Sequence, residues 1–234
     1  MHGRKAWIPG HEVIAAKGKN PQPSSQPVYE LEGVSYGYGT QDVLRGIDLH
    51  IPSEAILLVL GANGSGKTTL LKLLAGVLTP RQGTIRRRVT QDKVAALGHE
   101  TFIYPGLSVL ENLTFWMGLY ARSREQESID QVLERAGLSG VMYEPAGHLS
   151  RGMSQRLSLA RIVLLCPEVL LLDEPTSGLD AASQEMMREE IRRARERGAT
   201  VLWITHAQER DMPMADALLQ VHGGRVQWQE AGRG

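Results

Sequence analysis

Residues 55–76 read AILLVLGANGSGKTTLLKLLAG. An unbroken apolar run ends at Gly61, a glycine-rich stretch follows, and Leu70, Leu73 and Leu74 then recur at helical spacing up to Gly76. A continuous rather than alternating apolar run is expected of a strand covered on both faces. The later spacing predicts an amphipathic helix, with Gly76 just past its C-terminus. Between the two, GANGSGKT (61–68) matches G-x-x-x-x-G-K-[ST] and lies where that motif must lie, after a buried strand and before a helix. Gly61, Gly64 and Gly66 let the backbone curl, so that the N–H groups of the loop, with Ala62, Asn63 and Ser65 between them, point at phosphate oxygens. The following helix, which starts through Thr68 and Thr69, adds its positive end. Lys67 suits the charge of β- and γ-phosphates, and the Thr68 hydroxyl is a hard oxygen ligand fit for Mg²⁺.

Further along, EVLLLDE (168–174) and TVLWITH (200–206) are apolar runs of the same continuous kind, and VAALGH (94–99) is a weaker one. Helical patterns separate them: SIDQVLERAGL, and AASQEMMREEIRRARERG with a Glu189–Arg193 pair. Strands alternating with helices predict a parallel α/β sheet. The ends differ. VYELEGVSY and GIDLHI alternate with period two, and LLQVHGGRVQW carries Gly223-Gly224 as a two-residue hairpin signal, so the chain is expected to begin and end in antiparallel strands. No internal repeat occurs, which implies one nucleotide-site half rather than two. At the end of VLLLDE, Asp173 can hold magnesium directly or through a water, and Glu174 is placed to polarise a water in line with the γ-phosphate. Neighbouring strand residues face opposite ways, so the turn at Pro175 is expected to re-aim Glu174.

Composition limits the classes. Among 234 residues, 26 basic side chains balance 26 acidic ones, so no global field favours nucleic acid or an anionic membrane. Cys166, the single cysteine, rules out an internal disulfide and reads as a packed small residue. The apolar runs are far shorter than the ~20 residues of a spanning helix, and the first residues lack the apolar core of a secretory signal. The chain is therefore expected to be soluble. Residues 1–27 carry Arg4, Lys5, Lys17 and Lys19 against Glu12 and end in NPQPSSQP, a flexible basic extension and linker.

The order of the phosphate loop, LSRGMSQRLSLAR, LLLDEPTSGLD and WITHA resembles the nucleotide-binding subunit of ATP-binding cassette (ABC) transporters over roughly residues 28–228. The resemblance implies a P-loop NTPase fold of α/β class: a mainly parallel sheet, an antiparallel β lobe and a helical signature lobe at approximately 101–160, within one ATP-binding domain over 28–234. It implies ATP and Mg²⁺ as cofactors, with Thr68 and Asp173 toward the metal and Glu174 as the hydrolytic base. Leu149-Ser150-Arg151-Gly152-Met153 would be the signature segment, reaching ATP bound to the other subunit of a head-to-tail homodimer through the Ser150 hydroxyl and the Gly152 N–H. Arg151 and Met153 depart from the common glycine and glutamine. Ser177-Gly178-Leu179-Asp180 would be the D-loop, His206 the switch histidine on the γ-phosphate, and Tyr38 the adenine-stacking aromatic, with Tyr36 close by as the alternative.

In this family the strand before the loop usually ends in a glutamine twelve residues before the position of Glu111, and here that position is His99. His99 would bond a magnesium-bound water rather than the ion; the alternatives are Glu100 or neither. The loop beyond is where the family meets its integral membrane permease, and Phe102, Tyr104, Phe115, Trp116 and Tyr120 either line that surface or pack the lobe. GHETFIYPGLSVLENL and LSRGMSQRLSLAR are together most similar to the ATP-binding subunit of the cytochrome c maturation haem exporter. That likeness implies haem handled by the partners, not by this chain, and a peripheral place on the cytoplasmic face of the inner membrane. An exporter of drugs, antibiotics or lipid-linked polymers is the rival reading, and a soluble cassette acting on ribosomes or DNA a remote one.

Overall fold

The computed structural model describes residues 26–98, 103–119 and 128–231. The basic extension up to Ser25, His99, Glu100, Phe102 and Tyr120 lie outside the described residues. The chain opens with the long strands β1 (Tyr29–Tyr38) and β2 (Gln41–Ile51), then β3 (Ile56–Leu60), α1 (Lys67–Leu74), β4 (Gln82–Arg87) and β5 (Val94–Leu97). The helices α2 (Val109–Leu119), α3 (Ile129–Arg135) and α4 (Arg151–Leu165) follow, and then β6 (Val169–Asp173), α5 (Ala181–Glu196), β7 (Thr200–Ile204), the single turn α6 (Gln208–Asp211), β8 (Ala217–His222) and β9 (Arg225–Glu230).

The continuous apolar runs become the middle of a six-stranded sheet, ordered β5-β6-β7-β3-β8-β9, parallel except for the β8–β9 hairpin. Each run serves both faces. On one side Ile56, Leu58, Leu60, Leu170, Leu172, Val201 and Trp203 pack with α4 and α5; on the other Leu57, Val59, Val169, Leu171, Leu202 and Ile204 pack with α1 and the antiparallel sheet. Each such leucine contributes about 1.5–3 kcal/mol by leaving water. The hairpin turns on Gly223 (φ 56°) and Gly224 (φ 77°), left-handed at both centres as a type I′ turn requires.

A second sheet, β2-β1-β4, is antiparallel. β4 has no strand signal in QGTIRR, which is largely exposed and rich in arginine. It forms because Gly83 (φ 81°) lies so close to Glu32 and Gly33 that a Cβ would fall 2.4 Å from the Glu32 carbonyl oxygen, and because Arg86 reaches Glu32 at 3.1 Å. In the helical lobe, Leu113, Val132, Leu133 and Leu157 join the sheet's core, and α4 runs past position 160 to Leu165. Reciprocal caps start two of the lobe's helices. The Ser108 N–H donates to Glu111 Oε2 at 2.7 Å and the Glu111 N–H to Ser108 Oγ at 3.2 Å; the Ser128 N–H donates to Gln131 Oε1 at 3.1 Å and the Gln131 N–H to Ser128 Oγ at 3.2 Å.

Candidate active site

β3 delivers the chain to Gly61 (φ 150°), and Gly64 (φ 75°) and Gly66 (φ 109°) complete the curl before α1 begins at Lys67. Gly61 is also required by space, since a Cβ there would sit 2.3 Å from the carbonyl oxygen of Val221 on β8. Lys67 is buried and folds back over the loop, its Nζ donating to the carbonyl oxygens of Gly61 at 2.8 Å and Ala62 at 3.1 Å. Those two bonds hold the ammonium at the loop's mouth, where phosphate oxygens are the natural further acceptors.

The parallel pairing of β6 with β7, and of β7 with β3, brings the strand ends together beside this loop. Thr68 Oγ1 donates to Asp173 Oδ2 at 2.7 Å. Two hard oxygens at that separation fit a shared place in an oxygen coordination shell around Mg²⁺, which takes few protein ligands and relies on phosphates and waters for the rest. Glu174 is re-aimed by its own backbone rather than by Pro175. It adopts φ 52°, left-handed for a non-glycine residue, fixed by its N–H donating to the Ile204 carbonyl at 3.0 Å. Strain of this kind persists where surrounding structure enforces it. The result is a carboxylate turned toward β7's end, with Glu174 Oε1 2.6 Å from His206 Nε2.

An open cleft of about 360 Å³ is lined by Tyr38, Val43, Asn63, Gly64, Gly66, Lys67, Thr68, Thr69 and Glu174. Of the two tyrosines, Tyr38 lines this cleft and is half exposed, while Tyr36 meets it edge-on at 5.2 Å and packs against the core. Among the described residues lining the cleft, none belongs to the segment 149–153 or to 177–180.

Those two segments are instead built against each other. Ser150 caps α4, its Oγ accepting from the Met153 N–H at 3.2 Å, which leaves its own O–H free to donate. Arg151 lies over Gly178, its Cζ 3.4 Å from where a Cβ would be, and Leu179 approaches Gly152. Asp180 caps α5 by accepting from the Ser183 N–H at 2.7 Å, a bond that holds its carboxyl below the usual aspartate range. Ser177 donates its N–H to the Glu174 carbonyl at 3.1 Å, so the segment 177–180 continues directly from the acidic turn.

Three residues that sequence reading passed over organise these parts. Gln155 Nε2 donates to the Pro175 carbonyl at 2.7 Å, tying the signature helix to the acidic turn. Asn112 is buried and braces the 104–108 loop: its Oδ1 accepts from the Tyr104 N–H, and its Nδ2 lies within hydrogen-bond distance of the carbonyls of Tyr104, Leu107 and Ser108. Its signal was a polar residue on the apolar face of α2. Asp211 is wholly buried, yet ERDMP in sequence reads as exposed. Beyond the site, Tyr104, Phe115 and Trp116 form an aromatic cluster with centroids 4.9–6.2 Å apart, and Arg161 lies over Trp116 at 4.6 Å.

Residues 44–177 match the family model described as ABC transporter. Similar curated proteins include the ABC transporter ATP-binding protein NatA of Bacillus subtilis, 32% identical over 78% of this chain and 79% of that protein. The uncharacterized ABC transporter ATP-binding protein YdbJ of the same species is 31% identical over 86% of this chain and 68% of its own length. The sn-glycerol-3-phosphate import ATP-binding protein UgpC 1 of Rhizobium johnstonii is 35% identical over 84% of this chain, which spans only 56% of that relative. A solved structure titled as the ATP binding subunit of an ABC transporter superposes with TM-score 0.81 at 25% identity, covering 87% of this chain and 90% of that one. The cbiO1 protein of Clostridium perfringens, part of the ABC transporter complex cbiONQ, shares the fold with TM-score 0.72 at 23% identity, over 88% and 90% of the two chains. Buried strand, phosphate loop, acidic turn and strand-end histidine, together with these matches, make the chain a member of the ABC transporter family, an ATP-binding ATPase subunit.

Proposed function

We propose that this chain hydrolyses ATP as half of a head-to-tail homodimer and drives an integral membrane permease on whose cytoplasmic side it sits. The observation that carries the reading is the Glu174–His206 contact of 2.6 Å beside the Thr68–Asp173 contact of 2.7 Å, both at the mouth of the phosphate loop. Lys67 and the loop N–H groups hold the β- and γ-phosphates, and Tyr38 stacks on adenine. Thr68 and Asp173 would hold Mg²⁺, which when bound screens the phosphate charge. Glu174 accepts a proton from the attacking water, and His206 keeps that carboxylate aimed while facing the γ-phosphate. The donors missing from the cleft come from the second subunit: the free Ser150 O–H and the Gly152 N–H at the start of α4, with Arg151 and Met153 beside them. The D-loop, Ser177 to Asp180, couples each subunit's signature helix to its own acidic turn. His99 positions a water in this scheme, with Glu100 as its alternative.

Peripheral attachment fits a chain in which, among the described residues, no helix is long and apolar enough to cross a membrane. The aromatic cluster of Tyr104, Phe115 and Trp116 is the docking face for the permease. For cargo, the stretch from Gly98 to Asn112 supports haem export in cytochrome c maturation, with haem held by the partners. A second reading, import of a small solute, is favoured by relatives named for glycerol phosphate, ferric ion and polyamine import.

The dimer reading is tested by sedimentation of Glu174→Gln with ATP. A species of twice the monomer mass is expected, and monomers persisting at saturating ATP would refute it. Purifying the native complex from membranes and identifying its partners by mass spectrometry tests the cargo. Haem-handling proteins support export, whereas a solute-binding protein with its importer permease replaces that reading and leaves the ATPase intact.

A further inference from the structure

We propose that Asp211 and Arg188 form a buried clamp that acts through Thr205 to position His206 against Glu174. The proposal rests on the reading of Glu174 and His206 as the hydrolytic pair. β7 ends at Ile204, Thr205 is buried, and His206, the next residue, is exposed and meets Glu174. One turn later the chain returns through α6, closed by the N–H groups of Arg210 and Asp211 donating to the Ala207 carbonyl at 3.0 and 3.1 Å. The return brings the Asp211 carboxylate back to Thr205. Thr205 Oγ1 donates to Asp211 Oδ2 at 2.5 Å and itself accepts the Ala207 N–H at 3.0 Å. The hydroxyl therefore ties the residue before His206 to the residue after it. Asp211 Oδ1 in turn accepts from Arg188 Nε on α5 at 2.7 Å, with the aspartate 0% and the arginine side chain 6% exposed.

A buried ion pair is poor evidence for stability, because desolvating two charges offsets most of their attraction. This one stands where its bonds fix a histidine whose ring must meet a carboxylate within hydrogen-bond distance. Misplacing a catalytic group by about 1 Å costs up to roughly 100-fold in rate, so a clamp on the flanking backbone has a kinetic consequence that a packing contact lacks. Arg188 also faces Glu185 at 3.5 Å on its own helix, but that carboxylate is exposed and does not reach Thr205.

The test measures steady-state ATP hydrolysis and ATP binding by the full-length chain. Thr205→Val keeps the shape and removes the hydroxyl. It is expected to lower kcat about 10- to 100-fold with ATP affinity changed by no more than about threefold, and Thr205→Ser should restore the rate. A positioning role predicts non-additivity: Thr205→Val on a His206→Ala background should slow turnover no further. Replacing the pair by apolar residues, Arg188→Met with Asp211→Leu, separates packing from positioning, since it is expected to fold and yet to lose rate as Thr205→Val does. Wild-type turnover in Thr205→Val, or losses that multiply with His206→Ala, overturns the clamp alone. Wild-type turnover in His206→Ala overturns the reading of the histidine itself.

Discussion

The molecule contains two half-sites made in opposite ways. The nucleotide half is assembled from the ends of three buried parallel strands, so Lys67, Asp173, Glu174 and His206 arrive together because β3, β6 and β7 pair in register. The signature half is a helix start, Ser150 to Met153, whose residues are exposed or half-buried and which leans on its own D-loop. One half is fixed by the core, and among the described residues its cleft is lined by none of 149–153 or 177–180. The other offers the Ser150 hydroxyl at a helix start that does not line that cleft. On the proposed dimer reading, that difference means that the catalytic unit is larger than the fold. In that reading the polypeptide builds a rigid acceptor of nucleotide and, separately, a lid for its partner's.

The sharpest way to break this division is at Glu174. Glu174→Gln should lower turnover by roughly 100-fold or more while ATP still binds, as loss of a general base does; steady-state hydrolysis with a nucleotide-binding titration checks it. A smaller, more selective effect is expected across the divide. Ser150→Ala should leave ATP binding by the isolated chain unchanged, cost about 1 kcal/mol of stability through its lost cap, and reduce turnover roughly tenfold. Equal losses of binding and turnover would place Ser150 in the nucleotide half instead.

Two further predictions concern what holds the halves in place. Asn112→Ala should destabilise the chain by about 1–3 kcal/mol, because the Tyr104 N–H loses its acceptor, and denaturant unfolding measures that. The smallest effect is at Asp180, whose carboxyl is held low by the Ser183 N–H. A depressed folded-state pKa stabilises above the ordinary aspartate value and is lost as pH falls through the folded one. Acid unfolding should therefore be less steep in Asp180→Asn, which keeps an N-cap without a titrating group.

What the sequence disclosed follows the same divide. The phosphate loop was legible because each of its residues answers a local demand: glycines where φ is positive, a two-sided strand before, a helix after. The hairpin at Gly223-Gly224 was legible for the same reason. That Glu174 is re-aimed was legible from the turn at Pro175, but the device was not, since a left-handed glutamate is enforced by the Ile204 carbonyl across the sheet and leaves no trace in its own residue type. Nor was β4, whose exposed arginines carry no alternation and which depends on a close approach at Gly83. Pairings at long range, such as Gln155 with Pro175 and Arg188 with Asp211, are set by how helices settle on the sheet. His99, the most distinctive of the expected site residues, lies outside the described residues.

The central claim is that the two half-sites meet only between chains, and complementation tests it most directly. Lys67→Ala disables the nucleotide half, and Ser150→Asp, by setting a negative charge against phosphate, disables the signature half. Each variant alone should hydrolyse ATP at background. Mixed, they can pair so that one sound phosphate loop meets one sound signature segment, and turnover should rise well above the sum of the two alone. A mixture no more active than its components would contradict the account and put the whole site within one chain.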